Sequence, residues 1–234
     1  MKSKAAVFVL FFLAGCMAFP AEEVKTLQLP AAGIDALEIN SGAGFLKVQG
    51  VEGMTSIEAT GEIYVRGVSK EDMPKFISDR VKFSLTKKNG RAVLVSDIKE
   101  SSIFSFRDAR IDLTVKMPAG LSLTVDDGSG SIEIGRVGGD LSIEDGSGSI
   151  MVEKLKGNLK IDDGSGDIEV RDVGGDVSVE DGSGSITIVN VGGSVTVDDG
   201  SGSITVDGVE KDLILKDAGS GSLNINNVKG RVIK

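Results

Sequence analysis

Asp127, Asp145, Asp163, Asp181 and Asp199 recur at intervals of eighteen residues, and each is followed by glycine. A second acid stands directly before every one of them: Asp126, Glu144, Asp162, Glu180 and Asp198. Carboxylates at this density have two chemical uses. Clustered oxygen ligands suit calcium, a hard cation that gathers several of them. Alternatively, Asp-Gly-Ser-Gly is turn chemistry, in which the aspartate accepts hydrogen bonds from its own turn and glycine supplies positive φ. The turn role is the first reading of Asp127, Asp145, Asp163, Asp181 and Asp199, and a calcium column is the second. Either has to offset a standing cost. Carboxylates stacked ~4.8 Å apart repel by roughly 1 kcal/mol even at the dielectric constant of water. Asp217 continues the first series by position, and Lys216 ends the second.

No catalytic residue is predicted. The chain has no histidine and no tryptophan, with one tyrosine (Tyr64) and one cysteine (Cys16). Imidazole, the usual general base near neutral pH, is therefore missing. Gly-Ser-Gly-Ser lacks the lysine and following helix of a phosphate loop. Thr187, Thr196 and Thr205 read as ordinary strand threonines rather than a ligand ladder. No organic cofactor is expected.

The elements that must carry the acids show themselves through glycine. Gly130, Gly139, Gly148, Gly157, Gly166, Gly175, Gly184, Gly193 and Gly202 are spaced nine apart, and each opens a small-polar, apolar, polar, apolar phrase. Lys211 takes the glycine position once, and one extra residue near Ala218 shifts the frame. A phrase this short cannot bury its own apolar pair, so it must stack on its neighbours. The phrases alternate in kind. One runs into Asp-Gly-Ser-Gly and the other ends at an apolar corner: Val137, Leu155, Val173, Val191, Val209 or Val228. Pairs such as Ile132/Ile134, Leu141/Ile143, Ile168/Val170 and Val195/Val197 share one face of a strand, with Glu133, Ser142, Glu169 and Thr196 on the other. The expected fold is all-β: a single-stranded parallel β-helix, or solenoid, of eighteen-residue coils made of two nine-residue halves. Residues 119–234 make about six coils, a rod roughly 30 Å long at ~4.8 Å per coil.

The boundaries follow from where this pattern degrades. Residues 1–15 read as a signal peptide, with Lys2 and Lys4 before an apolar run from Ala5 to Ala14 that is too short to span a bilayer. Residues 16–25 read as a tether and 26–66 as irregular first coils, in which Leu37/Ile39 and Leu46/Val48 keep the apolar pairing. Residues 67–110 form a small mixed insert that caps the rod. It holds a short helix with Ser69 as N-cap and acids in its first turn, then a hairpin at Lys-Lys-Asn-Gly. Phe76, Phe83, Phe104 and Phe106 are expected to plug the open end of the apolar interior. The regular β-helix occupies 111–234.

Leu13-Ala14-Gly15-Cys16 resembles the lipobox of bacterial lipoprotein precursors, which implies that Cys16 becomes the lipidated first residue. Cleavage after Ala18 or Ala21 is the alternative, and both imply export. Formal net charge is −9 and becomes −11 without Lys2 and Lys4. So acidic a surface excludes nucleic acid as a partner, and it allows membrane contact only through a lipid anchor.

Ile111-Asp-Leu-Thr-Val-Lys-Met-Pro-Ala-Gly-Leu-Ser-Leu-Thr-Val, followed by repeated Ser-Gly-Ser/Asp-Ile, resembles a bacterial β-strand-repeat family called "putative adhesin", related to head-domain adhesins of the envelope. The resemblance covers about residues 35–234. It implies an exported β-helix and carries over no catalytic residue. The glycine-rich nine-residue period also resembles the calcium β-rolls of secreted toxins, whose Gly-Gly-x-Gly-x-Asp pattern is absent here.

The sequence thus predicts a non-enzymatic, exported envelope protein of the bacterial periplasm or outer membrane, structural or adhesive. Its partner is an unidentified envelope or cell-surface protein or glycan. The rival readings are a polysaccharide-active β-helix enzyme and a calcium-binding exported β-roll.

Overall fold

The computed structural model describes residues 21–99 and 109–234. Residues 1–15, read as a signal peptide, Cys16, Phe104 and Phe106 lie outside the described residues. The chain opens with β1 (Ala21–Pro30), β2 (Ala36–Ala43), β3 (Leu46–Val51) and β4 (Ser56–Val65). Helix α1 (Met73–Arg80) leads into β5 (Val81–Lys88), β6 (Arg91–Ile98), β7 (Ala109–Pro118), β8 (Ser122–Ser129) and β9 (Ile132–Gly135). Short strands then alternate with three- to four-residue turns. They are β10 (Leu141–Asp145), β11 (Ile150–Leu155), β12 (Leu159–Asp163), β13 (Ile168–Val173), β14 (Val177–Asp181) and β15 (Ile186–Val191). The last are β16 (Val195–Asp199), β17 (Ile204–Val209), β18 (Leu213–Ala218), β19 (Leu223–Val228) and β20 (Val232–Ile233).

From β8 onward, even-numbered strands build one ten-stranded sheet and odd-numbered strands build the other. All neighbours in this part are parallel. Leu141 lies beside Leu123 and Leu159, and Ile150 beside Ile132 and Ile168, in each case eighteen residues away. The alternation of side chains fixes the two faces. In β12, Leu159, Ile161 and Asp163 are buried while Lys160 and Asp162 are exposed. One continuous aliphatic core runs between the sheets, and Ile161, Val170, Val179, Ile188 and Val197 have no exposed surface.

Each coil turns two different corners. Before the apolar corner residue, Arg136, Lys154, Asp172, Asn190, Gly208 and Asn227 all have φ between 52° and 77°. That left-handed residue lets two consecutive positions face outward before Val137, Leu155 or Val173 turns back into the core. At the other corner stand Gly130, Gly148, Gly166, Gly184 and Gly202, with φ between 129° and 159°. A Cβ on Gly166 would overlap the carbonyl oxygen of Gly148, and one on Gly184 would overlap that of Gly166. Backbone stacks on backbone here, and no side chain fits.

The N-terminal third departs from the sequence reading. β2 and β3 form one coil, but it is not the first in space. β2 lies between β6 and β8, and β3 lies between β7 and β9, all parallel. Residues 26–66 are therefore not a run of irregular first coils. They hold one coil placed second in the stack, flanked in sequence by β1 and β4, which pair antiparallel with each other. β4 continues antiparallel onto β7. Residues 21–25, read as part of a tether, are the first half of β1. Nor do residues 67–110 stand apart as an insert, because β5 and β6 are members of one of the two sheets. Apolar pairs in a sequence reveal which residues point inward and not which coil they stack upon.

The end of the stack closes where β1 and β5 approach each other. The N-cap of α1 is Asp72 rather than Ser69, and no acid occupies its first turn. Ser69 instead holds the preceding turn, accepting from the Asp72 amide at 3.1 Å and donating to its carboxylate at 2.8 Å. Met73 and Ile77 pack with Ile63, Val65 and Ile111 into a second apolar cluster, against which Phe76 leans. Phe83 packs on the main core, its ring fitting over Gly61. Among the described residues the seal combines the aliphatic side chains of α1 and the strands with Phe76 and Phe83. The hairpin β5–β6 turns at Asn89 and Gly90, both at positive φ, as an Asn-Gly turn requires.

Gly166→Ala is expected to lower stability by about 3 kcal/mol or more, since the methyl meets backbone of the next coil at a strained φ. Gly120→Ala, with open space around its Cα and no positive φ, is expected to be nearly silent. Urea denaturation midpoints of the two variants check this.

Candidate functional site

The aspartates single themselves out because they occupy inward positions. β10, β12, β14 and β16 each run in, out, in, out, in, so Leu141 and Ile143 are followed on the core side by Asp145. Asp127, Asp145, Asp163, Asp181 and Asp199 are all buried, with at most 7 % of their surface exposed. They stand in register, coil over coil, Asp145 beside Asp127 and Asp163, and Asp181 beside Asp163 and Asp199.

One carboxylate oxygen of each has a partner. The amides of Ser147, Ser165, Ser183 and Ser201 donate to Oδ1 of Asp145, Asp163, Asp181 and Asp199 at 3.0–3.3 Å. Asp127 instead accepts from the hydroxyl of Ser41. The turn role of Asp145, Asp163, Asp181 and Asp199 is therefore visible in the bonds. The other oxygen, Oδ2, is buried in all five and has no hydrogen-bond partner among the described residues. Burial raises every one of these carboxyls above the usual aspartate range. Asp127, Asp163 and Asp181 are pushed up to about 6, each by desolvation first, and Asp145 and Asp199 are raised for the same reason.

The column has ends that the spacing does not disclose. Ser41 pairs with Asp127 on one side and with Ser96 on the other, and Ser96 is buried. Two serines thus precede the five aspartates. At the far end a bulge between Val197 and Asp198 shifts the register, so Asp217 aligns with Asp198 and Ala218 aligns with Asp199. Asp217 is exposed and does not continue the buried column, because Lys216 is the extra residue of the bulge. The companion acids Asp126, Glu144, Asp162, Glu180 and Asp198 form a parallel column on the outer face.

A second ladder escaped the sequence reading. The Asp140 carboxylate accepts from the Asn158 amide at 2.8 Å, the Asn158 side-chain oxygen from the Asp176 amide at 2.9 Å, and the Asp176 carboxylate from the Ser194 amide at 2.8 Å. Asp212 accepts likewise from the amide of Arg231 and pairs with its guanidinium at 2.6 Å. These residues follow Gly139, Gly157, Gly175 and their equivalents, so a short polar side chain after each glycine was the available signal. The left-handed corner residues were also missed, since Arg136 and Lys154 give no hint of positive φ. Asp172, Asn190 and Gly208 at the same position do.

Little else among the described residues suits chemistry on a substrate. Tyr64 donates to Glu62 at 2.8 Å and is pushed up to about 12, mainly by that bond, which keeps its phenol protonated. Arg110 covers its ring at 4.5 Å. One open cavity of about 380 Å³, lined by Gly42, Asp97, Ile111 and Ser129 among others, brings no second ionisable group to Asp97. Among the described residues no three acidic side chains converge as a metal-holding group. No helix among them is long and apolar enough to cross a membrane.

No family model and no curated protein matches the chain. Several solved structures resemble it. One, described as a putative lipid binding protein from Parabacteroides distasonis, has a TM-score of 0.47 and 14% identity. A putative adhesin from Bacteroides fragilis gives 0.43 and 15%, and a putative cell adhesion protein from Clostridium sporogenes gives 0.38 and 16%. In all three the likeness covers 91% of this chain and 97% of the other. At these scores it carries no argument about the site.

With Oδ1 already engaged by its turn, melting temperature is expected to respond to calcium no more than to magnesium at matched ionic strength, and chelator is expected to leave it unchanged. Differential scanning calorimetry checks this. A calcium-specific rise that vanishes in Asp145→Asn/Asp163→Asn/Asp181→Asn would establish a metal column instead.

Proposed function

We propose that the chain is an exported, non-enzymatic rod of the bacterial envelope, structural or adhesive, whose two outer sheet faces meet an envelope or cell-surface protein or glycan. One observation carries this reading. Aliphatic side chains fill the interior from sheet to sheet, and turns such as 146–149 and 156–158 are too short to wall a cleft. Ligand sites in enzymes are concave and bury most of a small molecule. This rod offers flat, polar strand faces, which suit contact over an extended surface.

The anchor belongs to the same reading. Cys16, in its lipobox setting, ties the rod to a membrane by a lipid, followed by a link of a few residues before β1. One acyl chain alone binds membranes weakly, so the several chains of a bacterial lipoprotein are what would hold it.

Two outcomes are expected. Cys16→Ser moves the protein from the membrane pellet to the soluble periplasm or leaves it as uncleaved precursor, read by fractionation and mass spectrometry of the N-terminus. Unchanged processing removes the lipid anchor from the reading. Separately, the purified mature chain releases no reducing ends from a panel of neutral and acidic polysaccharides, while deletion of its gene lowers attachment of whole cells to a matrix-coated surface. Measurable turnover would move the rod among polysaccharide-active enzymes.

A further inference from the structure

We propose that the inward aspartate column is a proton-binding site of the folded rod, filled in mildly acidic surroundings and emptied at neutral pH at a cost in stability. The geometry carries this. Five carboxyl groups lie buried in consecutive coils, and in each the same oxygen, Oδ2, is shut off from water with no hydrogen-bond partner among the described residues. An ionised carboxylate in such a place lacks both water and a counter-charge. A neutral carboxyl costs far less to bury, and its Oδ1 still accepts the turn amide.

Backbone amides of the turns, those of Gly128, Gly146 and Gly164 included, favour the charged form but do not outweigh burial, and no charged neighbour adds to them. The charged groups acting on the column are carboxylates: Asp126 and Asp145 on Asp127, Asp145 and Asp181 on Asp163, Asp199 and Asp167 on Asp181, and Asp217 on Asp199. Beside Asp127 the neighbouring coil offers only the Ser41 hydroxyl. Across the interior, the odd-numbered strands present buried aliphatic residues, Ile150 and Val152 being typical. Among the described residues no lysine or arginine is one of the groups acting on these five.

The sign follows from proton counting. A folded-state value above the unfolded one means that the folded rod binds more protons than the unfolded chain between the two. The ordinary aspartate value is 3.8 and the column reaches about 6. Stability contributed by the column is thus full below the ordinary value, falls as pH rises through about 6, and stays low above it. The rod therefore runs opposite to the usual acid denaturation of proteins.

The test follows the urea midpoint of the mature chain from pH 4 to pH 7.5 at fixed ionic strength. Wild type is expected to lose stability with rising pH, most of it before about pH 6.5. Asp145→Asn/Asp163→Asn/Asp181→Asn keeps the turn acceptor and removes the charge. It is expected to flatten the profile and to exceed wild type at pH 7.5. Glu144→Gln/Asp162→Asn/Glu180→Gln removes as many charges from the outer column and is expected to keep the wild-type slope. A flat or rising wild-type profile, a triple asparagine variant that keeps the slope, or an outer-column variant that flattens it equally would each overturn the proposal. Proton release on unfolding wild type at pH 5.5, measured by pH-stat, reads the same site without any variant. Zero release or net uptake there also overturns it.

Discussion

Everything in this rod depends on identical positions stacking at one backbone spacing, coil upon coil. Parallel strands eighteen residues apart share a ladder, and whatever stands at one position stands at the same place above and below. Apolar pairs become continuous aliphatic columns in this way. Glycines become a seam in which each Cα faces the carbonyl of the coil beneath. Any residue that is merely tolerable once must be tolerable six times over, and the choice of side chain is correspondingly strict.

The same multiplication explains the aspartate column. A single Asp-Gly turn with an inward carboxyl would be a minor expense. Repeated in register, it places five carboxyls in one file, where burial and mutual repulsion both favour the neutral form. The turn geometry requires the acceptor, the strand phase points it inward, and the stacking gives it neighbours of its own kind. Stability and proton binding are joined there because the same atoms serve the turn and face the core. The Asp140, Asn158 and Asp176 ladder uses similar side chains on the outer corner, where water is present, and carries no such cost.

Closure of the stack is a separate problem, solved with different materials. A parallel ladder has no natural end, and a free edge invites further pairing. Here β1 and β4 extend one sheet with antiparallel strands, β5 extends the other, and α1 covers Ile63, Val65 and Ile111. The coil of β2 and β3 is gripped between β6 and β7 on one side and β8 and β9 on the other, all of them later in the sequence.

The sequence by itself determined the periodic part. Eighteen-residue spacing, the inward phase of Leu159, Ile161 and Val170, the glycine seam and the turn role of Asp145 and Asp163 all arise from local alternation and turn chemistry, which a sequence displays directly. Tertiary structure alone decided three things. It set the coil of Leu37 and Leu46 second in the stack, since apolar faces of equal width fit equally well at several heights. It gave the aspartate column its ends, with Ser41 and Ser96 supplied by segments far away in sequence and Ala218 brought in by a bulge. And it decided that the carboxyls are buried, because an Asp-Gly turn can lie on a surface or beneath it, and only the packing of one coil against the next removes the water.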